Sequence, residues 1–163
     1  MSVGGNHVAS DGLGTVLFAG VLLAAALASG LRRPALPVRS IAIGAAGGCV
    51  LVALWAFDRQ VPLAAASKPV ADWALGIAIV AVAEEALLRG VLFDALLAWS
   101  GTLGALVVTS AAFAVIHVPL YGWGAVPLDL AVGVWLGGLR LVTGGWAAPA
   151  VAHTFADLAA GWL

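Results

Sequence analysis

The sequence predicts an all-α, polytopic transmembrane helix bundle with about six spans, and three observations support this prediction. First, 63% of the 163 residues are hydrophobic and only 9% are charged, and the mean hydropathy is +1.11. Soluble domains are roughly a quarter charged, so this composition excludes that class. Second, the apolar residues form runs close to the roughly 20 residues that a helix needs to cross a bilayer. Third, most of the tryptophans lie near the ends of these runs, where aromatic belts form at membrane interfaces.

Six apolar runs are separated by short connectors. No Lys or Arg precedes the first run, and we expect it to be a mature membrane span rather than a signal peptide. The third run would be about 43 Å long as a helix, more than the roughly 30 Å hydrocarbon core, so we expect it to tilt or protrude. The glycine pairs 44/48 and 133/137 have the G-x-x-x-G spacing that lets helices pack closely. The predicted spans are residues 13–31, 41–57, 70–98, 103–119, 126–142 and 146–162.

The charge balance and the single cysteine limit the expected partners. Seven basic and eight acidic residues give a net charge of −1, so there is no reason to expect a nucleic-acid partner. The apolar surface instead requires the lipid bilayer as its solvent. Cys49 has no second cysteine with which to pair, and its small apolar neighbours predict that it is buried.

A few ionisable residues lie inside the predicted spans, where each costs at least about 2.5–3.5 kcal/mol at the bilayer centre. They are Glu84, Glu85 and Arg89 in the third span, His117 in the fourth, and His153 and Asp157 in the sixth. A purely structural role, as ion pairs or hydrogen bonds between helices, would explain a single such residue. It does not explain two adjacent glutamates, because one arginine neutralises only one carboxylate. We therefore interpret the group as a functional site.

Helical spacing pairs several of these side chains. Glu85 and Arg89 are four residues apart, so they share a helix face and can form an ion pair. Glu84 then points about 100° away around the same helix. His153 and Asp157 are also four residues apart and face the same way.

The predicted depths of these residues agree in part. The turn between the third and fourth spans is expected near residues 100–101. Glu84 precedes this turn by about 16 residues and His117 follows it by about 16, so an antiparallel helix pair places them level. His153 lies only about ten residues beyond the next turn on that side. Counting therefore leaves a mismatch of about 9 Å, which helix tilt or loop length has to absorb.

A carboxylate, two imidazoles and a second carboxylate around one cavity predict a site that activates water. Peptide hydrolysis needs a base to deprotonate water and a group to stabilise the oxyanion. Glu84 can be the base, with His117 holding the same water, while His153 and Asp157 supply or orient the oxyanion stabiliser. No cofactor is favoured. Zinc remains possible, because Glu84, His117 and His153 form a ligand set found in catalytic zinc sites. The chain has no H-E-x-x-H sequence, and spacing does not separate the two alternatives.

Three motifs resemble those of the CAAX protease and bacteriocin-processing (CPBP, or Abi) family of intramembrane proteases. "EEALLRG" is similar to its EExxxR motif, "FAVIH", with Phe113 and His117, to its FxxxH motif, and "HTFAD" to its HxxxN or HxxxD motif. The glycine-rich "GVWLGGLRLVTGG" resembles the segment that precedes the third motif. The resemblance implies a catalytic core of four transmembrane helices at residues 70–163, preceded by a variable part with two transmembrane helices at residues 1–69.

The resemblance also implies an endopeptidase that acts on a membrane-anchored protein or peptide. Glu84 would be the catalytic base beside His117, with His153 and Asp157 on the oxyanion side. Glu85, Arg89 and Phe113 would support them. Several similar proteins have Asn at the last position. An ionised Asp157 cannot donate a hydrogen bond, so here it is expected to orient His153.

Two other function classes remain open at this stage. A small proton-coupled carrier would need a polar path to both sides, but spans one, two and five have few polar residues away from their ends. A catalytically silent scaffold would lack a motif residue, whereas every motif position is filled. The Ala-, Leu- and Gly-rich composition indicates a bacterial source, so we expect the bacterial inner (cytoplasmic) membrane as the location and a substrate without a prenyl group.

Overall fold

The computed structural model describes residues 12–32, 34, 36–59 and 70–162, and all regular elements in these residues are helical. A π-helix, Ala86–Leu92, and a short 3-10 turn, Trp123–Ala125, lie between α-helices. The six α-helices are α1 (Gly12–Ala28), α2 (Val38–Arg59), α3 (Val70–Glu85), α4 (Phe93–Tyr121), α5 (Val126–Thr143) and α6 (Ala147–Trp162).

Three helical stretches among the described residues are long and apolar enough to cross a membrane. They are Val38–Ala56, Ala74–Tyr121 and Trp123–Thr143, and a shorter apolar helix covers Leu13–Ala28. The second stretch is divided at Gly101, whose φ of 72° breaks the helix where a turn was expected. Glycine adopts this angle without steric cost. The prediction of an all-helical membrane bundle is confirmed, and the count of six spans stays a prediction.

Both glycine pairs lie at close contacts between helices. A Cβ at Gly44 on α2 would lie 2.6 Å from the carbonyl oxygen of Ala148 on α6. A Cβ at Gly133 on α5 would lie 2.9 Å from the Cα of Ser110 on α4. These distances are too short for any larger residue, so the glycines let α2 pack on α6 and α4 pack on α5. The second glycine of each pair faces the same neighbouring helix.

The buried core lies between the π-helix, α4, α5 and α6, and the outer faces of the helices remain apolar. Core residues are Leu88, Phe113, Leu136, Leu139 and Ala152. Large apolar side chains such as Leu13, Trp99 and Trp123 are exposed, as expected for surfaces that face lipid. Cys49 is exposed on α2, so the prediction of its burial was wrong. In a membrane protein the outer face of a helix is apolar too, and apolar neighbours therefore do not indicate burial.

The π-helix Ala86–Leu92 directly follows the two glutamates that end α3. Its wider hydrogen-bond pattern continues to Phe93, whose N–H bonds to the carbonyl of Leu88, five residues back. Gly90 sits against Leu31, which follows α1, and Trp146, which directly precedes α6, because a Cβ at Gly90 would lie 2.7 Å and 3.1 Å from their side chains. Single π-helical turns are rare and are frequent at functional sites.

Candidate active site

Glu84, His117 and His153 come from three helices and meet in the interior of the bundle. Their exposed fractions are only 4%, 9% and 4%. The Nε2 atoms of His117 and His153 each lie 4.0 Å from Oε2 of Glu84. One ligand atom from each of the three residues can be chosen so that all three atoms lie within 4.8 Å of one another. A single carboxylate oxygen therefore faces two imidazole nitrogens at equal distance.

The orientation of His117 is set by its own helix, α4. Its Nδ1 lies 2.8 Å from the backbone carbonyl of Phe113, one turn earlier. A carbonyl only accepts hydrogen bonds, so Nδ1 carries the proton and Nε2 faces Glu84. The rings of Phe113 and Tyr121 contact the imidazole at centroid distances of 4.3 and 5.9 Å. The spacing of four residues places all three rings on one face of α4.

The orientation of His153 depends on other charged groups. Its Nδ1 lies 3.0 Å from Oε1 of Glu85 on α3, and its Nε2 lies 3.3 Å from Oδ2 of Asp157 one turn later on α6. Both nitrogens thus face carboxylates, which only accept hydrogen bonds when ionised. A His153 with a proton on each nitrogen can donate to both. The Asp157 side chain is 45% exposed, so it lies at the open edge of the cluster.

Arg89 balances the charge of Glu85 and fixes its position. The Arg89 Nη1 donates to Oε1 of Glu85 at 2.8 Å, and both side chains are completely buried. Its Nη2 donates to the backbone carbonyl of Gly133 on α5 at 3.1 Å, and its guanidinium carbon lies 4.8 Å from the centre of the Phe113 ring. Within the described residues, Oε2 of Glu85 and Nε of Arg89 have no hydrogen-bond partner. Removing Arg89 would leave the buried Glu85 carboxylate with only His153 as a partner, and removing Glu85 would leave the Arg89 guanidinium buried without its ion-pair partner.

The structure brings all seven residues singled out by the sequence into one region. Glu84 and His117 lie at the same level, as the residue counts suggested. The mismatch of about 9 Å expected for His153 is absent, because its Nε2 reaches Glu84 at the same distance as that of His117. Helices in bundles tilt and cross at an angle, so equal residue counts from two turns do not give equal depths.

Several features of the site were missed by sequence reasoning. These are the π-helix, the Gly133 carbonyl that accepts from Arg89, the stacking of Tyr121 on His117, and Arg140, which donates to the Arg89 carbonyl at 3.0 Å. A single π-helical turn is too short to give a periodic pattern of residues in the sequence. The role of a backbone carbonyl does not depend on the type of residue, so residue types do not predict it. Tyr121 continues the four-residue spacing of Phe113 and His117, and that signal was available.

Glu84, His117 and His153 have the right chemistry for zinc but are widely spaced. Zinc bonds of about 2.0–2.1 Å in a tetrahedral site place neighbouring ligand atoms roughly 3.3 Å apart. The separations of 4.0 Å found here are larger, and the cluster would have to contract around a metal. One water molecule, with hydrogen bonds of about 2.8 Å, bridges two acceptors 4.0 Å apart without any movement. The three residues are therefore compatible with a bound water as they stand, and with a metal ion once the ligand atoms move closer together.

Comparison with known proteins identifies the family. Residues 65–159 match the family described as Rce1-like type II CAAX prenyl endopeptidases. This match covers more than half of the chain, and the chain belongs to that family. No curated protein and no solved structure matches the chain at a significant level. Family membership supports an intramembrane endopeptidase in general terms, and the apolar helices make it an integral membrane protein.

Proposed function

We propose that this member of the Rce1-like endopeptidase family hydrolyses peptide bonds with a water molecule activated by Glu84. The observation that most supports this is the position of Oε2 of Glu84, 4.0 Å from both imidazole Nε2 atoms in a buried cluster. Glu84 takes one proton from the water, and the unprotonated Nε2 of His117 accepts the hydrogen bond of the other. The oxygen lone pair is then free to attack the substrate carbonyl.

His153 stabilises the oxyanion in this proposal. With a proton on both nitrogens, His153 donates from Nδ1 to Glu85 and presents the Nε2 proton between Asp157 and Glu84. The carbonyl oxygen of the substrate replaces Asp157 as the acceptor when negative charge develops on it. Glu84 then transfers its proton to the leaving amine, and the products are a carboxylic acid and an amine.

The proposed substrate is a membrane-anchored protein or peptide. The cluster lies among apolar helices and opens at Asp157, so a segment held in the bilayer reaches it without an extended soluble region. We place the protein in the bacterial inner membrane on the basis of its Ala-, Leu- and Gly-rich composition. Residues 70–163 would form the catalytic core, with residues 1–69 as the variable part.

The decisive experiment replaces the proposed base. Wild-type protein and Glu84→Gln are reconstituted in liposomes with a library of membrane-anchored peptides, and cleavage is followed by mass spectrometry with and without a chelator. We expect Glu84→Gln to lower kcat by about 10²–10⁴-fold, because the amide does not accept the proton. Thermal unfolding in detergent should show that the variant stays folded.

Controls separate the alternatives. Asp58→Asn, which makes the same change from carboxylate to amide in the last turn of α2, should cleave like the wild type. Normal cleavage by Glu84→Gln would show that Glu84 is not the base. Stoichiometric zinc in the purified protein, with activity lost on chelation, would replace water activation by Glu84 with a metal-centred mechanism. A wild-type protein that cleaves nothing would favour the scaffold or carrier alternatives.

A further inference from the structure

Arg140, in the last turn of α5, joins α5 to the π-helix and to the start of α4. Its Nε donates to the backbone carbonyl of Arg89 at 3.0 Å, and its Nη2 lies 2.5 Å from Oδ1 of Asp94. Its guanidinium carbon lies 5.4 Å from the centre of the completely buried Phe93 ring. The Arg140 side chain is only 12% exposed. Arg140 belongs to none of the three motifs and lies in the glycine-rich segment before the third.

The carbonyl that Arg140 binds has lost its usual partner. In a regular α-helix, the N–H of Phe93 would bond to the carbonyl four residues back, that of Arg89. Here this N–H bonds instead to the carbonyl of Leu88, five residues back. A buried carbonyl that loses a hydrogen bond is costly, and the Arg140 guanidinium supplies a replacement. Arg140 therefore favours the π-helical pattern over a regular α-helix.

Arg89 is consequently held by α5 at two points. Its side chain donates to the Gly133 carbonyl, and its own carbonyl accepts from Arg140. Gly133 and Arg140 are seven residues apart, so they lie on one face of α5. A helix turns by about 100° per residue, so one extra residue in a turn rotates the residues before it by about 100° relative to those after it. Once Arg89 is fixed against α5, the π-helical pattern therefore sets the direction of the two preceding glutamates.

We propose that Arg140 is a positioning residue, which holds the π-helix through the Arg89 carbonyl and so keeps Glu84 and Glu85 directed at the two histidines. Arginine suits this role because its planar guanidinium serves two acceptors at once, here a carbonyl and the Asp94 carboxylate. The consequence for catalysis rests on the proposed function. The consequence for the hydrogen bonds of the π-helix does not.

The test compares Arg140→Met, Arg140→Lys and Asp94→Asn with the full-length wild type. Cleavage gives kcat and KM, and hydrogen exchange by mass spectrometry reports the backbone of residues 86–94. We expect Arg140→Met to lower kcat by about 10²-fold with little change in KM. A remote mutation that misplaces a catalytic group by about 1 Å has an effect of this size. Exchange at residues 86–94 should accelerate by at least about tenfold. The effects of Arg140→Lys on kcat and exchange should be intermediate, since a lysine ammonium does not reproduce the planar guanidinium that donates to both the Arg89 carbonyl and Asp94. Asp94→Asn should have the smallest effect.

The matched control is Arg39→Met, at an exposed arginine of α2, which should keep wild-type kcat and exchange. Wild-type kcat and unchanged exchange in Arg140→Met would overturn the proposal. So would a loss of activity that follows only the loss of folded protein, with normal kcat per folded molecule. If the wild type cleaves nothing, or if Glu84→Gln cleaves normally, the proposed function fails, and hydrogen exchange still decides the role of Arg140.

Discussion

The two histidines of the site are held in different ways. On the α4 side of the site (Phe113, His117 and Tyr121), His117 is ordered by contacts within its own helix, through a backbone hydrogen bond to Phe113, the tilted Phe113 ring and the stacked Tyr121 ring. The α6 side, His153 and Asp157, is ordered by charges, and its main partner Glu85 lies 68 residues away in the sequence. Both sides nevertheless present an Nε2 atom at the same distance from Glu84.

This difference predicts different sensitivities. The contacts of His117 with Phe113 and Tyr121 on its own helix keep its imidazole in place even when neighbouring helices shift. His153 depends on Glu85, which depends on Arg89, which in turn depends on the Gly133 carbonyl of α5. A substitution that breaks any of these contacts should therefore displace the His153 side chain more than the His117 side chain.

The largest effect is expected for Arg89→Met, which removes the positive charge that balances Glu85 and so disturbs the α6 side of the site. The substitution leaves the buried Glu85 without its arginine and with only His153 as a partner. Removal of one member of a buried ion pair costs about 3–5 kcal/mol. The free energy of unfolding, measured in detergent micelles, should fall by that amount. In imidazole ¹⁵N spectra of the remaining folded protein, the signals of His153 should shift while those of His117 stay close to the wild type.

A double variant provides the control for this prediction. Glu85→Leu combined with Arg89→Met removes both charges, and such replacements of a buried pair are often neutral or stabilising. The double variant should therefore recover most of the lost stability, but not activity, because His153 has lost its Glu85 partner. If Arg89→Met were as stable as the wild type, or if His117 shifted as much as His153, the comparison between the two sides would be wrong.

The same contrast explains how much the sequence could predict. The local pairs Glu85 with Arg89 and His153 with Asp157 follow from the four-residue spacing and were predicted. Apolar run lengths likewise predict the helices. The depth of His153 was not predicted correctly, because it depends on the tilt between helices. The π-helix and the Arg140 contact were missed because backbone hydrogen bonds leave no mark on residue patterns.

An intermediate effect is expected for Gly133→Ala, which disturbs the support of Arg89 on α5. The new Cβ would lie 2.9 Å from the Cα of Ser110 and 3.0 Å from its carbonyl oxygen, both backbone atoms that do not move alone. Insertion of a methyl group into a packed interface typically costs about 1–3 kcal/mol. Thermal unfolding should show this loss, and the His153 signals should again move more than those of His117.

Gly138→Ala is the matched control on the same helix. A Cβ at Gly138 would have no neighbour within 4 Å, and alanine is the better helix former by about 1 kcal/mol, so this variant should be neutral or slightly stabilised. Equal behaviour of the two variants would mean that the contact between α4 and α5 at Gly133 does not limit stability.

The smallest effect on stability is expected for Asp157→Asn, which separates the two roles that this position could have. Because its side chain is 45% exposed, the ion pair with His153 should contribute less than about 1 kcal/mol. If Asp157 orients His153, the neutral amide weakens that contact and kcat should fall, by no more than about tenfold, since Glu85 still holds Nδ1. If the position instead serves to donate a hydrogen bond to the oxyanion, Asn supplies an N–H that ionised Asp lacks, and kcat should rise. We expect the fall, and a kcat above that of the wild type would assign position 157 to the oxyanion.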